Sequence, residues 1–277
     1  MNNNYGKIVI ITGASSGIGK NTAETLRDFG FFVYGFSRRG GTDSNSPAGG
    51  KITMLRVDIT DTESVSSAVS SIIATEGRID ILINSAGVGI CGSVEEVSLS
   101  DARFQFEGNY FGILNMLNAV LPHMRTARNG LVINIGSVGG IYPIPFQTHY
   151  SASKAAVSAL TLGLSIELSP FNVKAVLVEP GDIKTGFTAS RKTSVPYDNS
   201  FYGKEYQSSI RQMERDELSG GSPDAVTKVI LSLIARKNQP VSKVVGVKYK
   251  FFVFLKRILP KRTVRFLLTA MYPKSKL

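Results

Sequence analysis

Lys7-Ile-Val-Ile-Ile-Thr12-Gly13-Ala14-Ser15-Ser16-Gly17-Ile18-Gly19 begins as a buried-strand run and ends in a turn carrying three glycines. Residues 18–29 then space their apolar side chains for a helix, so the segment reads as strand, glycine turn, helix. Glycine at such a junction permits a tight turn and a close approach of the backbone to a ligand. The exposed N–H groups of the helix start would face a pyrophosphate. A ligand-free strand–helix turn is the plain alternative, and it is the rest of the chain that weighs against it.

The same alternation continues downstream. A second strand is predicted over Phe31–Phe36, a third over 54–60 (MLRVDIT), a fourth over Ile79–Asn84, a fifth over 131–137 (LVINIGS) and a sixth over 173–181 (VKAVLVEPG). Helices are predicted over 62–76, about 100–125 and 150–168. Nearly continuous apolar strands alternating with helices indicate an α/β fold, a doubly wound parallel sheet covered on both faces in three layers. No repeat and no linker divides the chain, so residues 1–277 are read as a single domain with a core over 6–186. Residues 40–50 are turn-forming. Residues 187–222 are polar with scattered aromatics and read as a cover over a pocket, and 247–277 as a basic amphipathic segment broken at Pro260.

Composition narrows the class. At 277 residues, 43% of them hydrophobic, the chain can bury an extensive core. Cys91 is the only cysteine, which rules out an intrachain disulfide and suits a reducing compartment. Two histidines and one cysteine weigh against a structural zinc site, and no metal is expected. The first apolar run leads straight into the glycine turn rather than a cleavage site, and no run of about 18 apolar residues is free of charge. A soluble cytoplasmic protein is expected. The formal net charge of +11 is unevenly placed, for no acidic residue follows Asp224. A nucleic-acid surface across the whole molecule is therefore not expected. For the basic tail two readings stay open, a peripheral membrane contact or packing of its apolar stripe on protein.

At the end of the second strand stand Gly35-Phe36-Ser37-Arg38-Arg39. A NAD site usually places a carboxylate here against the ribose hydroxyls. Ser37 lacks the charge that would repel a 2′-phosphate, and Arg38 can donate charge-assisted hydrogen bonds to one, with Arg39 as a secondary contact. NADP(H) is expected in preference to NAD(H); two solvated surface arginines are the bland alternative. Asp58, beside Ile59, is read either as a contact to the adenine edge or as a helix N-cap. Asn84-Ser85-Ala86-Gly87 closes the fourth strand with small residues that let a cofactor cross near the backbone. Tyr150 and Lys154 lie four apart, on one side of one helix.

Together these segments resemble the short-chain dehydrogenase/reductase family, from about residue 6 to 186. TGASSGIG at 12–19 is similar to the family's TGxxxGxG, NSAG at 84–87 to its NNAG with Ser85 as a departure, and Tyr150-Ser-Ala-Ser-Lys154 to its YxxxK. Asn109, Ser137, Pro180-Gly181 and Thr185 fall at the family's remaining positions. The resemblance implies a Rossmann-type fold and a catalytic set of Asn109, Ser137, Tyr150 and Lys154. It further implies cofactor contacts from Gly13, Ser15, Ser16, Gly17, Ile18, Gly19, Ser37, Arg38, Arg39, Asp58, Ile59, Asn84, Ala86, Gly87, Tyr150, Lys154, Pro180, Gly181, Ile183 and Thr185. Tyr150 would exchange a proton with the carbonyl or alcohol, helped by a cationic Lys154 that favours phenolate. Ser137 would hydrogen-bond the carbonyl oxygen. Lys154 would also hold the nicotinamide ribose, and Asn109 would position a water. A homodimer or homotetramer is implied as well.

The stretch from Tyr150 to Phe187 is most similar to the steroid- and retinoid-converting members and related lipid ketone reductases. An apolar, lipid-like carbonyl or alcohol is therefore the expected substrate. A 3-oxoacyl thioester, a small carbonyl, a sugar or polyol, and a non-catalytic NADP(H)-binding regulator are the alternatives. Val138, Ile141, Tyr142, Phe146 and Phe187 are candidates for the pocket wall, with Tyr197, Phe201, Tyr202 and Tyr206 in its cover.

Overall fold

The computed structural model describes residues 3–271. In chain order its main elements are β1 (Ile8–Thr12), α1 (Gly17–Asp28), β2 (Phe32–Ser37), β3 (Lys51–Arg56), α2 (Thr62–Glu76), β4 (Ile81–Asn84), α3 (Leu99–Phe106) and α4 (Gly112–Ala127). There follow β5 (Gly130–Ile135), α5 (Thr148–Glu167), β6 (Val173–Pro180), α6 (Gly203–Leu218), α7 (Pro223–Ile234), β7 (Ser242–Val245), α8 (Val247–Ile258) and α9 (Lys261–Met271). The seven strands are parallel in the order β7-β6-β5-β4-β1-β2-β3. The short segment Ser44–Asn45 pairs antiparallel on the β3 edge.

Strand periodicity makes the layers. Along β1, Val9 and Ile11 point to one face, where they meet Ala23 and Leu26 of α1 and Val226 and Ile230 of α7. Ile8 and Ile10 point to the other, onto Val65 and Val69 of α2, Met116 and Val120 of α4 and Val157 of α5. The chain is thus a single-domain, three-layer Rossmann-type α/β fold. Crossing from β1 to the β4 side reverses the strand order beside the glycine turn, which opens a crevice at the carboxyl ends of the strands.

Three differences from the sequence reading bear on the site. The third strand runs over Lys51–Arg56, not 54–60, because β2 registers Phe32 against Lys51 and Ser37 against Arg56. Asp58 is left in the following turn, where its Oδ1 accepts from the backbone and side chain of Thr60. The N-cap of α2 is Asp61 instead, which accepts from the N–H groups of Glu63 and Ser64. The helix expected over 100–125 is divided by a π-helical turn at Glu107–Phe111, and that turn carries Asn109. Residues 187–222 are more regular than expected: α6 buries Tyr206, Ile210 and Met213 along one stripe. The break expected at Pro260 separates α8 from α9.

Candidate active site

The crevice opens into a cavity of about 1720 Å³ lined by the ends of five strands, the glycine turn and the two C-terminal helices. Its floor is built by close approach. Thr12 at the end of β1 accepts hydrogen bonds from the N–H groups of Ser85 and Ala86, both at 3.0 Å, and draws the β4 turn against the glycine turn. A Cβ on Gly13, whose φ is +70°, would lie 2.9 Å from the Cα of Ala86, and one on Gly19 would lie 2.4 Å from the Gly13 carbonyl oxygen. Ser16 caps α1 by position only, without a side-chain bond, so the first N–H groups of that helix face the cavity without a side-chain acceptor. That arrangement fits the pyrophosphate of a dinucleotide.

The adenosine end carries the arginines. Ser37 is buried and its hydroxyl accepts from the N–H of Arg39, while the Arg39 guanidinium donates to Ser15 at 3.2 Å. Arg38 and Arg39 both line the cavity, and among the described residues neither is ion-paired. Asp58, Ile59 and Thr60 form the neighbouring wall.

At the other end of the crevice Ser137 and Tyr150 share a hydrogen bond, and the Ser137 hydroxyl also accepts from the N–H of Gly139 at 2.9 Å. Burial holds the Tyr150 phenol above its ordinary value. The Ser137 bond opposes this, the Glu217 and Asp182 carboxylates add to it, and Arg191 counters them. Lys154, on the next turn of α5, is 6% exposed and donates to the Ile135 carbonyl at 2.9 Å. Burial pushes its ammonium down to about 8. The ammonium stands 5.9 Å from the centroid of the Tyr150 ring. The lowering of Tyr150 expected from Lys154 is not among the influences on the phenol, which burial raises.

Asn109 is fully buried and its amide is committed to structure. Its Oδ1 accepts from Val88 N at 2.8 Å, and its Nδ2 donates to the Val88 carbonyl and the Ser153 hydroxyl. The amide thus ties the loop after β4 to α5 one residue before Lys154. Both Nδ2 hydrogens are taken, so a water at this side chain would meet only the remaining lone pair of Oδ1.

The structure brings the candidate residues together with two exceptions, Asn109, whose buried amide does not reach the cavity wall, and Asn84. Gly13, Ser15, Ser16, Gly17, Ile18, Gly19, Ala86, Gly87, Pro180, Gly181, Ile183 and Thr185 all line the cavity with the catalytic candidates Ser137, Tyr150 and Lys154. Asn84 does not: it is 1% exposed and donates to Asn134 at 2.8 Å, and Asn134 donates in turn to Thr161 of α5. It ties β4 to β5 rather than reaching the cofactor, a pairing fifty residues apart that no local pattern announces. Of the pocket candidates, Val138, Tyr142 and Phe187 line the cavity, whereas Ile141 and Phe146 do not. Phe146 stacks on Tyr206 and Tyr202, and Tyr197 on Tyr206, so these aromatics pack on one another instead of covering the pocket. Phe201 points to solvent. The wall from this region is supplied by Phe187, Ser190, Lys192, Met213, Asp216 and Glu217. Sequence reading missed the carboxylates, and it missed Gln147, which is buried against the cavity with its Nε2 unpartnered.

Residues 7–195 match the family model described as short chain dehydrogenase, and the chain belongs to the short-chain dehydrogenase/reductase family. It is an oxidoreductase of that family. Among curated relatives, the 3-ketodihydrosphingosine reductase of Bacteroides thetaiotaomicron is 42% identical over 268 residues, covering 96% of this chain and 98% of the relative. A short-chain dehydrogenase from Streptomyces avermitilis of known structure is 29% identical over 95% of both chains, with a TM-score of 0.81. A Burkholderia cenocepacia short chain dehydrogenase in complex with NADP is 26% identical, covers 98% of this chain and 99% of its own, and has a TM-score of 0.70.

Proposed function

We propose that the protein is an NADPH-dependent reductase of a long-chain 2-amino-3-ketone, the chemistry in the name of its Bacteroides relative. The observation that carries this reading is the mixed lining of the cavity. Asp182 and Glu217 act on Tyr150 and Asp216 lies near Asp182, while Phe252, Leu255, Leu259, Val264 and Leu268 of the C-terminal helices and the loop between them supply apolar lining. A long-chain aminoketone carries an ammonium group beside the carbonyl and an alkyl tail beyond it. Glu217 is engaged by Arg191 at 2.5 Å and Asp182 by Tyr249, which leaves Asp216 as the carboxylate least neutralised by its neighbours. Lys248, also on the wall, acts on Asp182.

When bound, the nicotinamide supplies hydride to the carbonyl carbon. Tyr150, held in its protonated form at neutral pH by burial, gives its phenolic proton to the carbonyl oxygen. The hydroxyl of Ser137 donates to the same oxygen as negative charge develops there. One hydride and one proton convert the ketone to a secondary alcohol. Lys154, which donates to the Ile135 carbonyl and stands 5.9 Å from the Tyr150 ring centroid, would hold the ribose side of the nicotinamide and help Tyr150 regain its proton. Asn109 acts as a positioning residue through Val88 and Ser153.

Consumption of NADPH with a long-chain 2-amino-3-ketone should exceed that with the matched ketone lacking the amine, with 3-oxoacyl thioesters, with sugars and with small carbonyls. Asp216→Asn should raise KM for the aminoketone by about 5- to 50-fold, the size of a lost charged contact, and leave the amine-free ketone unaffected. Turnover on thioesters alone would replace this reading with that of an acyl-thioester reductase.

NADP(H) preference rests on Arg38, Arg39 and the absence of a carboxylate at Ser37. Arg38→Ala should weaken NADPH binding by about 10- to 100-fold and change NADH binding little. An equal loss for both, measured by nucleotide fluorescence, would remove the 2′-phosphate assignment. Phe111 at the start of α4 and Leu162 and Ile166 on α5 expose apolar surface, which supports a homodimer or homotetramer through these helices.

A further inference from the structure

The two C-terminal helices have apolar residues on two sides. On α8, Phe252 and Leu255 face the cavity, followed by Leu259 at the break and Val264 and Leu268 on α9. A second side of α8, bordering the first, carries Val247, Phe251, Phe254 and Ile258 at steps of four, three and four residues, a continuous helical stripe. These four side chains are 83%, 59%, 57% and 61% exposed, and Phe266 on α9 is 71% exposed. The helix is nonetheless fastened to the body: Tyr142 donates to the Phe252 carbonyl, Tyr249 to Asp182, and Lys256 to the Ile141 carbonyl. The exposed stripe is therefore a fixed outer face of a docked helix.

Charge surrounds the stripe and has one sign. Lys250, Arg257, Lys261, Arg262 and Arg265 are exposed on these helices, and no acidic residue follows Asp224. Exposed aromatic and aliphatic residues rimmed by cations suit the boundary of an anionic bilayer, where apolar groups enter the acyl region and cations remain among the phosphates. Among the described residues no helix is long and apolar enough to cross a membrane, so the fit is to a surface.

We propose that α8 and α9 seat the protein on an anionic lipid surface, so that the mouth of the catalytic cavity, which the same helices line from within, takes its substrate from that surface. The seat stands on the exposed stripe and its charge; the delivery of substrate rests on the long-chain ketone reading above. One pair of helices serves as membrane foot outside and substrate wall inside.

Flotation of the full chain with vesicles of phosphatidylcholine alone, or mixed with phosphatidylglycerol, tests the seat without any turnover. The protein should float with the mixed vesicles, and binding should weaken as salt is raised. Phe251→Glu combined with Phe254→Glu should lower vesicle binding by at least about tenfold, since two large apolar side chains no longer enter the acyl region. NADPH binding should be unchanged, which certifies the fold. Charge reversal at Lys261, Arg262 and Arg265 should weaken binding to the mixed vesicles selectively. Failure of the native chain to float, or equal flotation of the double variant, would overturn the seat. So would a double variant that merely dissociates into smaller oligomers in sedimentation velocity while the native chain ignores vesicles, because the stripe would then cover a second copy. Flotation without aminoketone turnover would leave the seat standing and remove only the substrate reading.

Discussion

Tyr150→Phe is expected to lower turnover by about 100- to 10,000-fold while NADPH binding stays close to native. The substitution removes one oxygen and keeps the ring, so the contact with Phe187 at 5.7 Å between centroids survives. What is lost is the proton donor. Burial keeps the phenol protonated well above neutral pH, and the Ser137 hydroxyl already lies against it. A ketone oxygen that replaces part of that contact would meet both hydroxyls. In the variant Ser137 can still hydrogen-bond the oxygen, but proton delivery would fall to water, a far weaker acid than a positioned phenol. Single-turnover measurement with saturating NADPH separates the chemical step from binding. Near-native single-turnover rates would show that the proton comes from elsewhere, and the assignment of Tyr150 would fall.

Much of this site is legible in the sequence because it is local. The glycine turn needs its glycines within one strand–helix junction, and Tyr150 and Lys154 need only one turn of helix between them. Ser37-Arg38-Arg39 likewise reads from a strand end. What could not be read depends on pairing across the sheet or on docking. The β3 register follows from its alignment against Phe32–Ser37, although the apolar pattern of 54–60 suggests a later strand. Asn84 belongs to a motif that suggests the cofactor, yet its partner is Asn134 on the next strand. Phe146 reads in sequence as pocket wall and Tyr197, Tyr202 and Tyr206 as its cover, but they satisfy one another around Tyr206, which is wholly buried. The carboxylates at Asp182 and Asp216 sit 34 positions apart and meet at the cavity because α6 docks over the end of β6. The C-terminal segment was legible as amphipathic helices broken at Pro260, but its service as a cavity wall arises only from where those helices dock.

Lys154→Met should remove a pH dependence from the stability of the cofactor-free protein, and this separates the role of Lys154 in chemistry from its role in folding. Burial lowers the ammonium from 10.5 to about 8, so between those values the unfolded chain holds a proton that the folded chain has released. Stability contributed by this group therefore rises with pH from about 8 to about 10.5, and below about 8 the full cost of carrying the charge into the fold is present. That cost is about 3 kcal/mol, set by the size of the lowering. Methionine has nearly the same length and carries no charge, so it escapes the cost. It also abandons the Ile135 carbonyl, a loss of about 1 to 3 kcal/mol that does not vary with pH. Urea denaturation across a pH series should show the native chain gaining about 3 kcal/mol on the variant between about pH 7 and 10.5. The raised phenol of Tyr150 is present in both chains, so its own titration largely cancels in the difference. A flat difference would mean that the folded lysine keeps an ordinary ammonium, held by charge that the buried surroundings do not supply. The same variant should lose most of its turnover, which would identify a lysine retained for its chemistry at a cost to the fold.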